Sequence, residues 1–410
     1  DMPEAVRNII HTIEEHGFKA YAVGGCIRDS ILGRNPDDWD ITTSAVPAQI
    51  KTFFKRTIDT GIVHGTVTVM VNKTGYEVTT YRIDGEYEDG RHPKSVEFSD
   101  RLVDDLCRRD FTINAMAYND SDGFVDEFNG LDDLDAKIIR CVGEPELRFT
   151  EDALRMMRAI RFSAQLGFTI DEATWSAIKK LAPSISKISM ERVHVELGKT
   201  LMSAHPDYVA EYSEAGLFEP ILPVVDNALK SRYNKKILAI LRHVPDNIYL
   251  RYAALFITST PDEAAKTLRA LKLDNKTVDT VSKLVELSKI DIEETEPAVR
   301  TALNKYGRDF LPLWHELMMA VLQASEDIIG ISNPAKVKHL LTLKRLATDI
   351  LARGDCFTIK DLDISGNDLI EYGLQGHEIG ETLKSLLDIV IENPKLNDKA
   401  TLIAMIEHIK

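Results

Sequence analysis

Residues 23–44 read VGGCIRDSILGRNPDDWDITTS. Two glycines follow an apolar run, an Arg-Asp pair comes next, and two carboxylates flank Trp39. Gly24-Gly25 reads as the end of a strand and the start of a helix, a turn that brings backbone N–H groups close to an anion. Arg28, one turn into that helix, suits a triphosphate oxygen, and Asp29 suits the role of orienting it. No G-K-[ST] follows, so this is not a P-loop. Asp38 and Asp40 enter a second strand. Residues two apart on a strand point to one side, roughly 7 Å apart at their Cα atoms. Paired carboxylates suit hard cations such as Mg2+, and a two-metal site serves in-line displacement at a phosphoryl group. Alone, D-x-D equally suits a helix cap or an exposed turn. GG-x-x-RD with D-x-D beginning nine residues after Asp29 is much more specific.

Outward from this stretch, KAYAV and WDITT read as strands. TVTVMV (66–71) alternates like a half-buried strand, NKTG supplies a turn, and YEVTTYRI (76–83) returns. After Thr150 strand signals almost vanish. EDALRMMRAIRFSAQLGF has helical spacing and ends at Gly167, a C-cap candidate; ISMERVHVELGKTLM and VDTVSKLVELSKI continue the helical pattern. The expected organisation is a mixed α/β head followed by about 260 residues of helix. At 410 residues the chain is too long for one core.

The apolar fraction of 44% and charged fraction of 28% are ordinary for a soluble protein. No apolar run approaches about 18 residues, so no membrane span is expected. Asp1-Met2-Pro3 lacks a signal-peptide pattern and reads as a remnant of tag removal. Cys26, Cys107, Cys141 and Cys356 are scattered without a C-x-x-C pair, as reduced thiols of a cytoplasmic protein would be. A net charge of −15 disfavours indiscriminate nucleic-acid binding. Lys230–His243 and Asn333–Thr348 nevertheless contain no acidic residue. They suit either solvated helix faces or local basic surfaces.

The stretch GGCIRDSILGRNPDDWDITTS resembles the head signature of class II tRNA nucleotidyltransferases, the family of CCA-adding enzymes and bacterial poly(A) polymerases. TGIVHGTVTV (60–69), YEDGRHP (87–93), RRDFTINAMA (108–117) and EDALRMMRAIRF (151–162) match in order. DISGNDLIEYGLQGHEIGETL (363–383) resembles the tail of the bacterial CCA-adding type. The resemblance implies an α+β fold: a nucleotidyltransferase (polymerase-β-like) head over 1–149, then all-α parts, a neck over 150–215, a body over 216–300 and a tail over 301–410. It implies addition of C, C and A to the tRNA 3′ end from CTP and ATP, with Mg2+ held by Asp38 and Asp40. It places Gly25, Arg28, Arg109, Asp152, Arg155, Arg158 and Arg161 at the nucleotide. It also implies that the polar loop Asp84–Pro93 moves when the pocket changes from CTP to ATP. Arg91-His92 stands where relatives often carry two arginines. A homodimer remains open.

The base-selecting residues also have a chemical reading. Cytosine and adenine present a ring acceptor beside an amino donor; uracil and guanine present a ring N–H and a carbonyl. An arginine beside a carboxylate therefore pairs with C or A. Asp152 and Arg155, three apart on the expected helix, are neighbours able to form that pair. Otherwise Thr150 is an N-cap, with Glu151 and Asp152 complementing the helix dipole. Steps of three drift about 60° around a helix, so Arg161 should face nearly opposite Asp152 and organise neighbours. Asp110 suits holding an arginine, and Glu77 suits a third acidic group. The rival readings are an A-adding enzyme, a bacterial poly(A) polymerase and a non-catalytic RNA-binding scaffold. GIVHGTVTV and the lack of a basic C-terminal extension resemble the CCA-adding branch.

Overall fold

The computed structural model describes residues 2–85 and 96–409, so most of the loop Asp84–Pro93 lies outside the described residues. The chain divides into two compact units, Asp1–Asp226 and Asn227–Lys410.

The first unit is built on a seven-stranded sheet. The strands among its described residues are β1 (Ala20–Val23), β2 (Asp40–Thr43), β3 (Thr57–Gly61), β4 (Thr66–Val71), β5 (Thr74–Thr80), β6 (Arg82–Asp84), β7 (Val96–Phe98), β8 (Met116–Asn119), β9 (Gly123–Asp126), β10 (Ile138–Ile139) and β11 (Thr169–Ile170). The large sheet runs β3-β4-β5-β2-β1-β8-β9; β6 pairs with β7 and β10 with β11. The β2–β5 pairing is parallel, and the other neighbours in the large sheet are antiparallel. All four residues of β1 are buried, as befits a central strand. The helix Glu4–Glu15 buries Val6, Ile9, Ile10 and Ile13, one apolar stripe of helical period.

Register sets the site. Val23 faces Asp40 across the β1–β2 ladder, so the β1 turn at Gly24 begins beside that carboxylate. Ile41 pairs with Val78 in parallel, which brings Asp40 level with Glu77 on β5. Gly24 has φ +84°, a conformation that favours glycine, and it caps the helix Gly25–Ile31 as expected.

One expectation fails. The sequence predicts a continuous helix from Thr150, but the chain forms two: Pro145–Glu151 and Leu154–Leu166. Thr150 lies inside the first rather than capping it. Asp152 sits at the break with φ −144° and ψ 104°, its carboxylate accepting from the Leu154 N–H at 3.0 Å. Asp152 and Arg155 therefore do not share a helix. Gly167 closes the second helix in the left-handed conformation, as expected.

The second unit is helical in its described residues. Its C-terminal part packs Leu369, Leu386, Leu387, Val390, Ile391, Leu402 and Ile406 into one core. Arg300, 2% exposed, braces that part by donating to Asp355 at 2.8 Å and to the Ile391 carbonyl at 2.7 Å. Among the described residues no helix is long and apolar enough to cross a membrane.

Candidate active site

The acidic side of the site is Asp38, Asp40 and Glu77. Partial loss of hydration against the protein pushes the Asp40 carboxyl up although the residue is exposed; Arg109 draws it back and the nearby Asp38 charge adds to the rise. Glu77, likewise exposed, is also raised, by partial desolvation and then by the charges of Asp40 and Asp38. Three carboxyls thus repel one another, Asp38 just before β2, Asp40 at its start and Glu77 on β5. Among the described residues no cluster of three or more His, Cys, Asp or Glu forms a metal cage. Asp38 lies just before β2 rather than on it, so the expected strand pair is one strand carboxylate and one from the preceding turn; such a pair suits an ion that takes its remaining oxygens from water and phosphates. The residues fit a hard divalent cation on that chemistry. The adjacent Cys26 thiol, pushed up to about 11 by burial and by Asp40, stays protonated and is no nucleophile.

The basic side is tied together by a relay of polar groups. Asp29 grips Arg28 with two bonds of 2.9 Å, the orienting role expected of it. Arg28 Nη1 donates to Asn114 Oδ1 at 2.6 Å, and Asn114 Nδ2 donates to Asp110 at 3.1 Å. Asp110 in turn accepts from Arg158 Nε at 2.7 Å. Burial alone would raise the Asp110 carboxyl, but Arg158, Asn114 and Arg155 hold it well below the usual range. The guanidinium groups of Arg28, Arg158 and Arg161 also surround one ring, Phe162, at 5.0, 5.3 and 4.0 Å from its centroid.

Arg109 is anchored by Asp105, a carboxylate with no exposed surface, at 3.2 Å. The same carboxylate accepts from Arg108 and from Thr42 on β2. A Cβ at Gly24 would lie 2.9 Å from Arg109 Nη1, so glycine there lets the guanidinium approach the turn.

Asp152 and Arg155 are not paired with each other. Asp152 is held by Arg192 at 2.7 and 3.2 Å. Arg155 donates to Glu151 at 2.6 Å and to the carbonyls of Arg148 and Arg108. Arg161 forms an ion pair with Glu196 at 2.7 Å; because Asp152 lies before the helix that carries Arg161, the drift around one helix does not set the two apart, and the same helix, Met190–Leu201, meets both. Arg192 and Glu196 lie four apart on the helix Met190–Leu201, one turn separating the two grips. Sequence reasoning missed Asp105, Asn114, Phe162, Arg192 and Glu196. Phe162 stood inside a quoted motif, and the spacing of Arg192 and Glu196 was its own signal.

Comparisons with known proteins bear on all of this. A profile described as the poly A polymerase head domain matches residues 20–140. One described as the probable RNA and SrmB-binding site of polymerase A matches 167–229, and one described as tRNA nucleotidyltransferase domain 2, putative, matches 247–406. A CCA-adding enzyme of Levilactobacillus brevis is 36% identical over 98% of this chain and 97% of its own length. Another, of Lactiplantibacillus plantarum, is 53% identical over 203 residues, an alignment that spans half of each chain. The crystal structure of the Bacillus stearothermophilus CCA-adding enzyme in complex with CTP has a TM-score of 0.76 at 32% identity, covering 99% of this chain and 98% of that one.

Proposed function

The chain belongs to the family of CCA-adding tRNA nucleotidyltransferases and poly A polymerases, and on that premise we propose that it builds the CCA end of tRNA. The reaction joins the tRNA 3′-hydroxyl to the α-phosphate of CTP, CTP and then ATP, releasing pyrophosphate each time. The observation that carries this reading is the register of β2, which sets Asp40 beside the Gly24 turn through β1 and level with Glu77 through β5.

Asp38 and Asp40 are the proposed holders of Mg2+, which when bound supplies a polarised hydroxyl and a stabilised leaving oxygen. Arg28 and Arg109 are the proposed partners of the triphosphate, with Gly25 opening the helix beside it. Their anchors at Asp29 and Asp105 hold each guanidinium before substrate arrives, so little side-chain freedom is lost on binding. Arg158, its side chain 34% exposed, lies next to this group and is assigned to the nucleotide; Arg161 is assigned to it through Phe162 and Glu196.

Asp152 and Arg155 are the proposed base edge. A carboxylate has about four acceptor positions. The Leu154 N–H and the two Arg192 contacts occupy three, leaving one for the exocyclic amino group of C or A. Arg155 keeps Nε–H and part of Nη2 for the ring acceptor. Uracil and guanine would set donor against donor at that position.

We assign the head to 1–149, the neck to 150–215, the body to 216–300 and the tail to 301–410. The basic stretches fall on the helices Asn234–His243 and Pro334–Arg353 and are the proposed phosphate contacts with the tRNA. The four unpaired cysteines support a cytoplasmic location.

The test uses tRNAs ending before the tail, after one C and after two, with Mg2+ and CTP, ATP or both. A CCA-adding enzyme stops at CCA from every start. Addition of A only to the CC end, or long A tracts, would assign one of the sister activities instead. Asp40→Ala should remove incorporation while tRNA binding persists; an unchanged rate overturns the metal assignment.

A further inference from the structure

A cavity of about 90 Å³ lies wholly among residues of the C-terminal unit. Leu311 and Trp314 wall it from the helix Phe310–Ile329, and Leu343 and Leu351 from the helix Pro334–Arg353. The Trp314 indole donates to the Leu287 carbonyl at 3.1 Å, which fixes the ring as a rigid wall. Two basic side chains join this apolar lining, His315 and Lys344.

His315 is 9% exposed, and its Nε2 is buried without a hydrogen-bond partner among the described residues. Native interiors seldom leave such an atom unmatched. Burial and the Lys344 charge hold the imidazole below its usual range, so it is neutral near pH 7 and able to donate one N–H. Of the acidic side chains on the neighbouring loop, Asp291 and Glu294 are engaged by His339 and Glu293 is exposed to solvent. A positive charge and an unmatched nitrogen therefore stand at a pocket that is otherwise apolar, an arrangement that calls for an anionic head on an apolar body.

We propose that this cavity binds a small monocarboxylate with a branched aliphatic body, its carboxylate seated between Lys344 and His315. Size selects the body: a cavity of about 150 Å³ encloses benzene, and this one is smaller. The site shares no residue with the nucleotide site; Lys344 also belongs to a basic stretch assigned to tRNA above, so binding is read on the chain without RNA.

Calorimetric titration of the full chain with 3-methylbutanoate, 3-methylbutanamide and acetate tests it. The acid should bind saturably, the amide about tenfold more weakly, and acetate without saturation. Lys344→Gln changes an exposed side chain, so the fold is kept; it should weaken the acid about tenfold and leave the amide unchanged. In the wild type, the His315 ring proton signals should shift with the same midpoint. Equal binding of acid and amide, indifference to Lys344→Gln, or no saturable binding by about 10 mM acid overturns the proposal.

Discussion

Arg192 holds Asp152 by both carboxylate oxygens, Nη2 to Oδ2 at 2.7 Å and Nη1 to Oδ1 at 3.2 Å. The grip comes from a helix forty positions further along, and it lands on the residue that breaks the neck helix in two. The orientation of the proposed base edge is therefore set from outside its own motif.

Removing that grip should blur base choice. In Arg192→Ala the Asp152 carboxylate swings free, and each wrong base no longer leaves a fixed buried group unmatched, a penalty of about 1–3 kcal/mol. The ratio of kcat/KM for CTP over UTP should fall about tenfold, with Arg192→Lys recovering part of it. Single-nucleotide incorporation with each triphosphate measures this; a preserved ratio with a merely lowered Tm would make Arg192 a structural residue only.

Gly24→Ala should harm both folding and nucleotide use. The backbone at φ +84° strains any side chain by roughly 1–3 kcal/mol. The new methyl would also press on Arg109 Nη1. The expected outcome is a lower Tm together with a raised KM for CTP and ATP. Wild-type KM in the variant would remove Arg109 from the triphosphate.

Asp105 anchors Arg108, Arg109 and Thr42 from a fully buried position. Asp105→Ala leaves those donors unmatched and should cost about 3–5 kcal/mol in urea unfolding at neutral pH. Burial raises this carboxyl, but Arg108 and Arg109 outweigh it and hold it below the usual range. The folded value is thus depressed, so its contribution is present above the ordinary aspartate pKa and is lost as pH falls through the folded one. The stability gap between wild type and variant should narrow on acidification; a gap independent of pH would contradict the charge assignment.

Glu211 behaves in the opposite sense. Burial, with the charges of Glu214 and Asp207, pushes it up to about 7. The folded state then holds its proton more tightly than the unfolded chain does. Stability should fall as pH rises from the usual glutamate range to about 7, by at most about 3 kcal/mol, and stay level beyond. Glu211→Gln should abolish that slope and be the more stable protein at pH 8. Parallel pH–stability curves for the two would disprove it.

The strand-turn-helix-strand core of the head was legible because its signals are local. Alternation, a glycine pair and a carboxylate entering a strand place Gly24, Arg28 and Asp40 without knowledge of distant contacts. Even Glu77 followed, since parallel pairing of neighbouring strands carries it level with Asp40. The helix break at Asp152 was not legible. No glycine or proline interrupts residues 146–166, and propensity favours one helix throughout. The Asp152 carboxylate instead bonds the Leu154 N–H and Arg192, a tertiary choice that local pattern does not encode. Asn114 and Asp105 were hidden for the same reason: their partners Arg28 and Thr42 lie 86 and 63 positions away.

The three guanidinium groups about Phe162 are each answered by a carboxylate, Asp29, Asp110 or Glu196, so an acidic molecule keeps there a nearly neutral patch rich in N–H donors. At a distance the net charge of −15 turns polyanions aside, and rising ionic strength weakens that long-range rejection first. Contacts made to those donors act only at short range and are screened far less by the same salt. Encounter rates with a triphosphate should therefore climb when moderate salt is added, the reverse of what a uniformly basic binder shows.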